Sequence, residues 1–217
     1  MRAFNGSAYI DGPITWQPFE LTLAANASHN STANAACFLS VSAVGGSENS
    51  SSLYFRGDTG GDPVQLRHVM NTVTTTIFTA NSAAGYSAST MVVAVGRAQS
   101  GAAAIFKDGT KTTASMSTTS QANLSKLSIG EIFINTGAVG NEKVTGNVAR
   151  VGIWLGGISD RDADAYNKGA PIPRIKPASL RYYAPLAREL QELKGRVALT
   201  DHSTTVAARH VRSYFGA

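Results

Sequence analysis

The carboxylates of the chain are the first residues to test for catalytic chemistry. Glycoside hydrolysis uses two carboxyl groups, which lie about 5 Å apart in retaining enzymes. Residues i, i+2 and i+4 of a strand share one face, and the nearest approach to such a pair is Glu131, Phe133 and Asn135. This face would hold a single carboxylate, so we interpret Glu131 as a solvent-facing strand residue. A hydrolase would require a second carboxylate to meet Glu131 across strands.

Two groups of acidic residues invite comparison with calcium sites. The acids of Asp160–Asp164 alternate as in an EF-hand loop, which requires Gly at its sixth position and a bidentate Glu at its twelfth. The chain has Ala165 and Pro171 there, so helix capping explains these acids better. Asp58 and Asp62, in a glycine-rich loop, are the one loop pair that we consider for a calcium ion.

Histidine and cysteine give no metal or nucleophile signature. His29, His68, His202 and His210 are widely dispersed, and Cys37 is the single cysteine. A Ser-His-Asp triad is assembled in space and is not excluded by spacing. The chain lacks, however, a Gly-x-Ser-x-Gly elbow, a phosphate loop and a nucleotide-binding glycine motif with its strand and helix. We therefore expect no enzyme and, calcium aside, no cofactor.

The composition is typical of a folded β protein. Charged residues are 15% of the chain and hydrophobic residues 43%, whereas a disordered chain would lack that apolar content. The net charge of +5 lies entirely in residues 146–217, where a basic patch would suit an acidic partner. The basic residues form no run, so nucleic acid is not the expected partner. No stretch has the ~18 apolar residues of a membrane span and no apolar leader opens the chain, so we expect neither a membrane nor a secreted protein.

Short alternating segments separated by turn residues predict an all-β sandwich. The Asp108-Gly109 pair between two extended runs predicts a tight hairpin. Ser159–Gly169 has an N-cap serine, acids in its first turn and a closing glycine, and so predicts one short helix near residues 159–168. The C-terminal part is expected to add a β pair at 180–186 and 196–200, a helical turn at 187–194, and a closing strand after 201.

Several segments resemble the laminin G-like jelly-roll family of the concanavalin A-like superfamily. Asn147–Trp154, followed by Ser159-Asp160 and Gly169, resembles its closing module, in which a core strand ending in Trp precedes a short capped helix. Phe4–Ile10 resembles the opening strand and Phe19–Thr22 the second. The resemblance implies an antiparallel two-sheet jelly-roll β-sandwich. Packing alone would also explain these residues, with Trp154 filling the sandwich core and the helix capping an open end of it.

Ser179–Leu186 with Gly195 resembles an extension of such domains in structural proteins of tailed phages. The matches imply a jelly-roll domain over residues 1–200 and a C-terminal extension over 201–217. They also imply a virion protein made in the host cytoplasm. Our first hypothesis is a non-catalytic capsid decoration protein that forms homo-oligomers and binds other virion proteins on the head. The residues expected to contact an acidic shell are basic: Arg174, Lys176, Arg181, Arg188, Arg209 and Arg212.

A carbohydrate-binding adhesin of a phage tail or fibre is the alternative hypothesis. Such a protein would need exposed aromatic rings at a loop rim, with Asn and Asp side chains that bond to sugar hydroxyls. The candidates are Trp16, Tyr54 and Tyr86, although core or edge packing explains each of them better.

Overall fold

The computed structural model describes residues 1–16, 20–43, 49–71, 75–116, 121, 123–134, 137–138, 142–186 and 198–206. Within them lie one α-helix, α1 (Asp160–Asn167), and a 3₁₀ turn at Ile172–Arg174. The strands, in chain order, are β1 (Arg2–Asn5), β2 (Tyr9–Pro13), β3 (Leu21–His29), β4 (Ala35–Ala43), β5 (Ser50–Arg56), β6 (Pro63–Asn71), β7 (Thr75–Gly85), β8 (Val92–Ala98), β9 (Ala103–Lys107), β10 (Thr110–Ala114), β11 (Leu124–Ile129), β12 (Phe133–Ile134), β13 (Gly137–Ala138), β14 (Thr145–Leu155), β15 (Leu180–Ala184), β16 (Thr200–His202) and β17 (Thr205–Val206).

Two antiparallel sheets form the body of the molecule. The seven-stranded sheet has the order β16-β2-β11-β4-β5-β6-β7. The eight-stranded sheet has the order β10-β9-β8-β3-β14-β1-β17, and β15 also pairs with β14. β12 and β13 form a separate small hairpin. The predicted all-β jelly-roll sandwich with one short helix is confirmed, as is the β9–β10 hairpin around Asp108-Gly109.

Rows of apolar side chains fill the space between the sheets. Leu39, Leu53 and Leu66 lie opposite one another on β4, β5 and β6 and are fully buried in the main core. Ser40 and Ser52 pair on the same strands, and the period of two turns them to the other face. Because full burial of one leucine side chain contributes about 1.5–3 kcal/mol, such rows fix the register of the sheet.

The chain enters both sheets within its first two strands. β1 pairs with β14 in the eight-stranded sheet, and β2 pairs with β11 in the seven-stranded sheet. Gly6 lies between them with a φ of +83°, a left-handed conformation that glycine adopts without steric cost. The predicted single opening strand Phe4–Ile10 is therefore two strands in different sheets.

Residues near the C-terminus add an edge strand to each sheet. β16 pairs with β2 and β17 pairs with β1, so the domain boundary expected at residue 200 falls inside β16. The prediction that 180–186 pairs with 196–200 is wrong for the described residues, because β15 pairs with β14 instead. The helical turn expected at 187–194 and the extension beyond residue 206 lie outside the described residues.

A second apolar cluster covers the outer face of the eight-stranded sheet. Val151 and Ile153 of β14 face the main core, so Trp154 points the other way and is buried in the outer cluster with Tyr166 of α1. The Trp154 indole N–H donates to the Ile175 carbonyl at 2.7 Å. The expectation that Trp154 fills the sandwich core and the helix caps an open end is wrong, because the alternation of β14 places the ring outside, beneath α1.

The helix itself begins and ends as its sequence predicts. Ser159 is the N-cap, and its hydroxyl accepts from the Asp162 N–H while the Asp162 carboxylate accepts from the Ser159 N–H. Gly169 follows the last turn with a φ of +88°. The reciprocal pair satisfies two backbone donors that would otherwise lack partners at the helix start.

Candidate functional site

One short segment crosses from one sheet to the other at an end of the sandwich. The Cys37 N–H donates to the Glu142 carbonyl at 2.8 Å beside β4, and the Val144 N–H donates to the Gly130 carbonyl at 2.9 Å. Thr145 then begins β14 of the eight-stranded sheet. The crossing therefore spans the gap between the sheets where several strands begin or end.

A polar cleft lies beside this crossing, and we call it the end cleft. Its volume is ≈ 410 Å³. Hydroxyl, amide, imidazole and ammonium side chains form much of its wall, and the described lining residues are Gly6, His29, Ser31, Asn34, Ala35, Lys143 and Thr145. These groups are the donors and acceptors that a polyhydroxylated ligand requires.

His29 is held in the wall of the end cleft as a neutral ring. The Thr145 N–H donates to His29 Nδ1 at 3.1 Å, so the ring proton resides on Nε2. The residue is 3% exposed, and burial lowers the pKa of the imidazole. Nε2 has no hydrogen-bond partner among the described residues, which leaves one buried donor without an acceptor.

Hydrogen bonds hold the loop that carries Ser31 and Asn34 in place. The Tyr86 hydroxyl donates to the Ser31 carbonyl at 2.7 Å, and the Ser31 hydroxyl accepts from the Ala33 N–H at 3.0 Å. On the opposite wall, a Cβ on Gly6 would lie 2.9 Å from Thr145 Oγ1. The walls of the end cleft are thus fixed by hydrogen bonds and by close packing.

Lys143 links the end cleft to a buried carboxylate. Its Nζ lies 3.3 Å from Glu131 Oε2, and the Lys143 side chain is 21% exposed whereas that of Glu131 is 0% exposed. Burial raises the pKa of the Glu131 carboxyl, and the hydrogen bond and charge of Lys143 oppose that effect. The interpretation of Glu131 as solvent-facing is wrong, because the left-handed turn at Gly130 (φ +89°) ends the strand before it.

Charged and aromatic side chains of β2 and β16 surround the Glu131 carboxyl. Asp11 pairs with Lys126 at 2.7 Å and with His202 Nε2 at 3.4 Å. The His202 ring stacks on Tyr9 with centroids 4.0 Å apart. Lys143 Nζ lies 5.9 Å from the Tyr9 ring centroid, close enough for a cation–π contact.

Glycoside hydrolysis requires two neighbouring carboxyl groups that a substrate can reach, and this cluster meets only the first of these conditions. The negative charge of Asp11 contributes to the raised pKa of Glu131, so a second carboxylate does lie across the strands. Neither group is open to a substrate, since Glu131 is 0% and Asp11 8% exposed. The side chains of Phe133 and Asn135 lie outside the described residues.

The three aromatic residues predicted as glycan platforms do not gather at a rim. Tyr54 and Tyr86 are 1% and 5% exposed, which corrects their selection as exposed rings. The Tyr54 hydroxyl donates to Glu142 Oε2 at 2.9 Å, and Tyr86 supports the cleft loop as described above. Trp16 is half-buried against the main core.

One of the two acidic residues considered for calcium, Asp58, is engaged by an arginine. Both Asp58 carboxylate oxygens accept from the Arg56 guanidinium, at 2.8 and 2.9 Å, and this bond is the main cause of the lowered pKa of Asp58. The described residues contain no group of three or more His, Cys, Asp or Glu side chains placed to hold a metal ion. Calcium at Asp58 and Asp62 remains a prediction.

The basic residues predicted to contact a partner are only partly described. Arg174 and Lys176 are exposed and Arg181 is half-buried. Lys176 Nζ donates to the Gly157 carbonyl at 2.6 Å. Arg188, Arg209 and Arg212 lie outside the described residues, as does His210.

Sequence reasoning did not find the end cleft. Its lining comes from separate parts of the chain, around residues 6, 29–35 and 143–145. The available signal was the run Ser28–Asn34, a string of polar and small residues between two apolar strands, which is longer and richer in side-chain donors than a tight turn needs.

Solved structures with the same fold were found across most of the chain. A heptameric pentraxin from Limulus polyphemus matches with a TM-score of 0.63 and 10% identity, over 93% of each chain. A protein from Bacteroides ovatus, provisionally assigned to carbohydrate binding, matches with a TM-score of 0.61 and 14% identity over 94% of this chain. This chain spans 58% of the length of that second protein.

A phage protein is also similar in structure. The enzymatically active domain of tailspike protein 2 from bacteriophage CBA120 matches with a TM-score of 0.52 and 17% identity, over 81% of this chain and 28% of that chain. Neither a protein-family profile nor a curated protein sequence matches the chain. In the described residues no helix is long and apolar enough to cross a bilayer. The structural likenesses show the fold, an antiparallel two-sheet jelly-roll β-sandwich.

Proposed function

We propose that this chain is a carbohydrate-binding module that holds a saccharide in the end cleft. The observation that carries the proposal is the polar cleft of ≈ 410 Å³, whose described wall includes hydroxyl, amide and ammonium side chains. Sugar hydroxyls both donate and accept hydrogen bonds, so a wall of hydroxyl, amide and ammonium groups offers them partners of both kinds.

Two further points support binding rather than reaction. The jelly-roll fold is shared with the Bacteroides ovatus protein provisionally assigned to carbohydrate binding. The two carboxyl groups of the cluster are 0% and 8% exposed, so they would not reach a glycosidic bond. The module would therefore bind a glycan without cleaving it.

We further place the module on a phage tail or fibre, as an adhesin. The likeness to part of a phage tailspike protein favours this position, whereas none of the three neighbours described above favours the capsid decoration role that the sequence suggested. Homo-oligomers of this chain, and contacts with other virion proteins, remain part of this proposal. Several weak sites on one particle then add through avidity.

A glycan array followed by calorimetry on the purified protein tests the proposal. We expect at least one oligosaccharide to bind, and Asn34→Ala in the cleft to weaken it about tenfold, which corresponds to about 1.4 kcal/mol. Asn81→Ala is the matched control, since Asn81 is an exposed amide on β7, and it should change the dissociation constant less than about twofold. Absence of any glycan binding, or equal effects of the two variants, would contradict the proposal.

A further inference from the structure

We infer that the end cleft takes an acidic saccharide, one that carries a carboxylate, and that Lys143 is the cation that receives it. This inference rests on the proposed function and narrows it to one chemical class. It assigns a specificity-determining role to a residue outside every site predicted from the sequence.

The charge of the cleft lining favours an anionic ligand. Among the described lining residues Lys143 is the one with a full charge, and burial keeps His29 neutral by lowering its pKa. No carboxylate belongs to the described lining. Lys143 pairs with the Glu131 carboxyl at 3.3 Å, but that carboxyl is fully buried. The described lining itself therefore has one cation and no carboxylate, and it favours an anionic ligand over a neutral one, because a bond between ionised groups is roughly twice as strong as a neutral hydrogen bond.

The hydrogen-bonding groups of the lining also favour a carboxylate. The described lining offers the amide of Asn34 and the hydroxyls of Ser31 and Thr145 as hydrogen-bonding groups. Lys143 contributes further donors, since an ammonium has three N–H groups. A carboxylate only accepts hydrogen bonds, whereas a sugar hydroxyl also donates. A carboxylate therefore matches these N–H donors better than a hydroxyl does.

Glu131 holds the lysine without covering it. Its carboxyl contacts Lys143 Nζ from the buried side, and only the lysine is partly exposed. The other charged or titratable groups that face Glu131 are Asp11, His202 and Tyr9. When Glu131 takes up a proton, Lys143 loses its neutralising partner, so the affinity for a carboxylate should increase as the pH falls toward the raised pKa of Glu131.

The experiment compares acidic oligosaccharides with the same oligosaccharides after chemical reduction of their carboxyl groups to alcohols. For the protein as it stands we expect an acidic ligand to bind at least about tenfold more tightly than its reduced counterpart. Lys143→Met should remove that preference. Lys168→Met is the matched control, because the Lys168 side chain, directly after α1, is 72% exposed, and it should keep the preference.

A second pair of variants separates binding from folding. Lys143→Met leaves Glu131 buried without its cation, so Lys143→Met/Glu131→Gln restores a neutral interior and should also lack the preference while keeping the wild-type circular dichroism. Glu131→Gln alone should strengthen binding of the acidic ligand and flatten its pH dependence. Binding that is equal for acidic and reduced ligands, yet weakened by Asn34→Ala, would overturn this inference and leave the proposed function standing. Failure of both ligand classes to bind would overturn both.

Discussion

His68 faces the main core from β6, opposite Ser51 of β5, and is 1% exposed. Its Nδ1 lies 2.7 Å from the Ser51 hydroxyl, which in turn donates to Gln121 Oε1 at 3.0 Å. Gln121 Nε2 donates to the carbonyls of Ser50 and Val69 at 2.7 and 2.6 Å. The network fixes residue 121 to β5 and β6, and none of these described partners carries a negative charge that would stabilise a protonated ring.

The free energy of unfolding should therefore decrease as the pH is lowered, because of His68. Burial lowers the pKa of His68 from 6.5 to about 4, so between these values the unfolded chain binds a proton that the folded chain does not. The loss should approach about 3 kcal/mol near pH 4, because one pKa unit corresponds to about 1.4 kcal/mol.

Urea unfolding measured between about pH 7 and about pH 4.5 checks this expectation. His68→Gln should unfold more readily at neutral pH but with a weaker pH dependence than the wild type. His29, whose pKa is also lowered by burial, should keep part of the slope. A variant with the full wild-type slope would show that His68 is not the titrating group.

Glu131 shows where residue-level prediction ends. The alternation Glu131-Phe133-Asn135 looked like a continuing strand, but the left-handed turn at Gly130 interrupts it. The partners of Glu131 then come from Lys143 and from Asp11, which is remote in sequence. The pairing of β2 with β11 brings Asp11 close, the crossing segment brings Lys143, and no local pattern encodes either approach.

At the scale of the element, α1 is the feature that the sequence predicted best. Its start depends on local contacts between Ser159 and Asp162, and local contacts are what a sequence pattern reports. Strand β6 was not predicted from the sequence. Its core-facing positions are Val64, Leu66 and then the polar His68, so the apolar alternation that would indicate a strand is interrupted.

The capping box gives a direct prediction at this scale. Ser159→Ala should lower the free energy of unfolding by about 1 kcal/mol, because the Asp162 N–H loses its acceptor. Ser179→Ala is the control, since the Ser179 hydroxyl makes a local bond to the Lys176 carbonyl at 3.3 Å outside any helix. Chemical denaturation of both variants measures the difference, and equal midpoints would argue against a stabilising cap.

At the scale of the whole molecule, the strands at the two ends of the described chain close the same side of the sandwich. β16 continues the seven-stranded sheet and β17 the eight-stranded sheet. Arg2 pairs with Asp201 at 3.3 Å across the two edges. Residues 200–206 therefore join the two sheets, rather than forming a tail outside them.

Truncation tests that joining role. A chain that ends at Leu199 should be less stable than one that ends at Val206, by about 1–3 kcal/mol, because β2 and β1 lose their edge partners. Hydrogen exchange should accelerate in Arg2–Asn5 and Tyr9–Pro13. Equal stability and equal exchange in the two truncated chains would show that β16 and β17 are dispensable.

The fold class was predictable as a whole, and the candidate site was not. Alternating segments and the Asp108-Gly109 turn report on neighbours in sequence, which suffices for an antiparallel sandwich. The end cleft joins His29, Lys143 and Gly6, which meet only after both sheets have formed. Prediction of such a site needs the strand order, which the sequence pattern leaves open.

The position of Trp154 has a practical consequence. The chain has two tryptophans, and this one lies between the sheet and α1 rather than between the sheets. Its fluorescence emission therefore reports on the seating of the helix, while circular dichroism in the far ultraviolet reports mainly on the strands. In a Trp16→Phe background the two spectroscopic signals separate, and any difference between their melting curves measures how far the outer layer detaches before the sandwich opens.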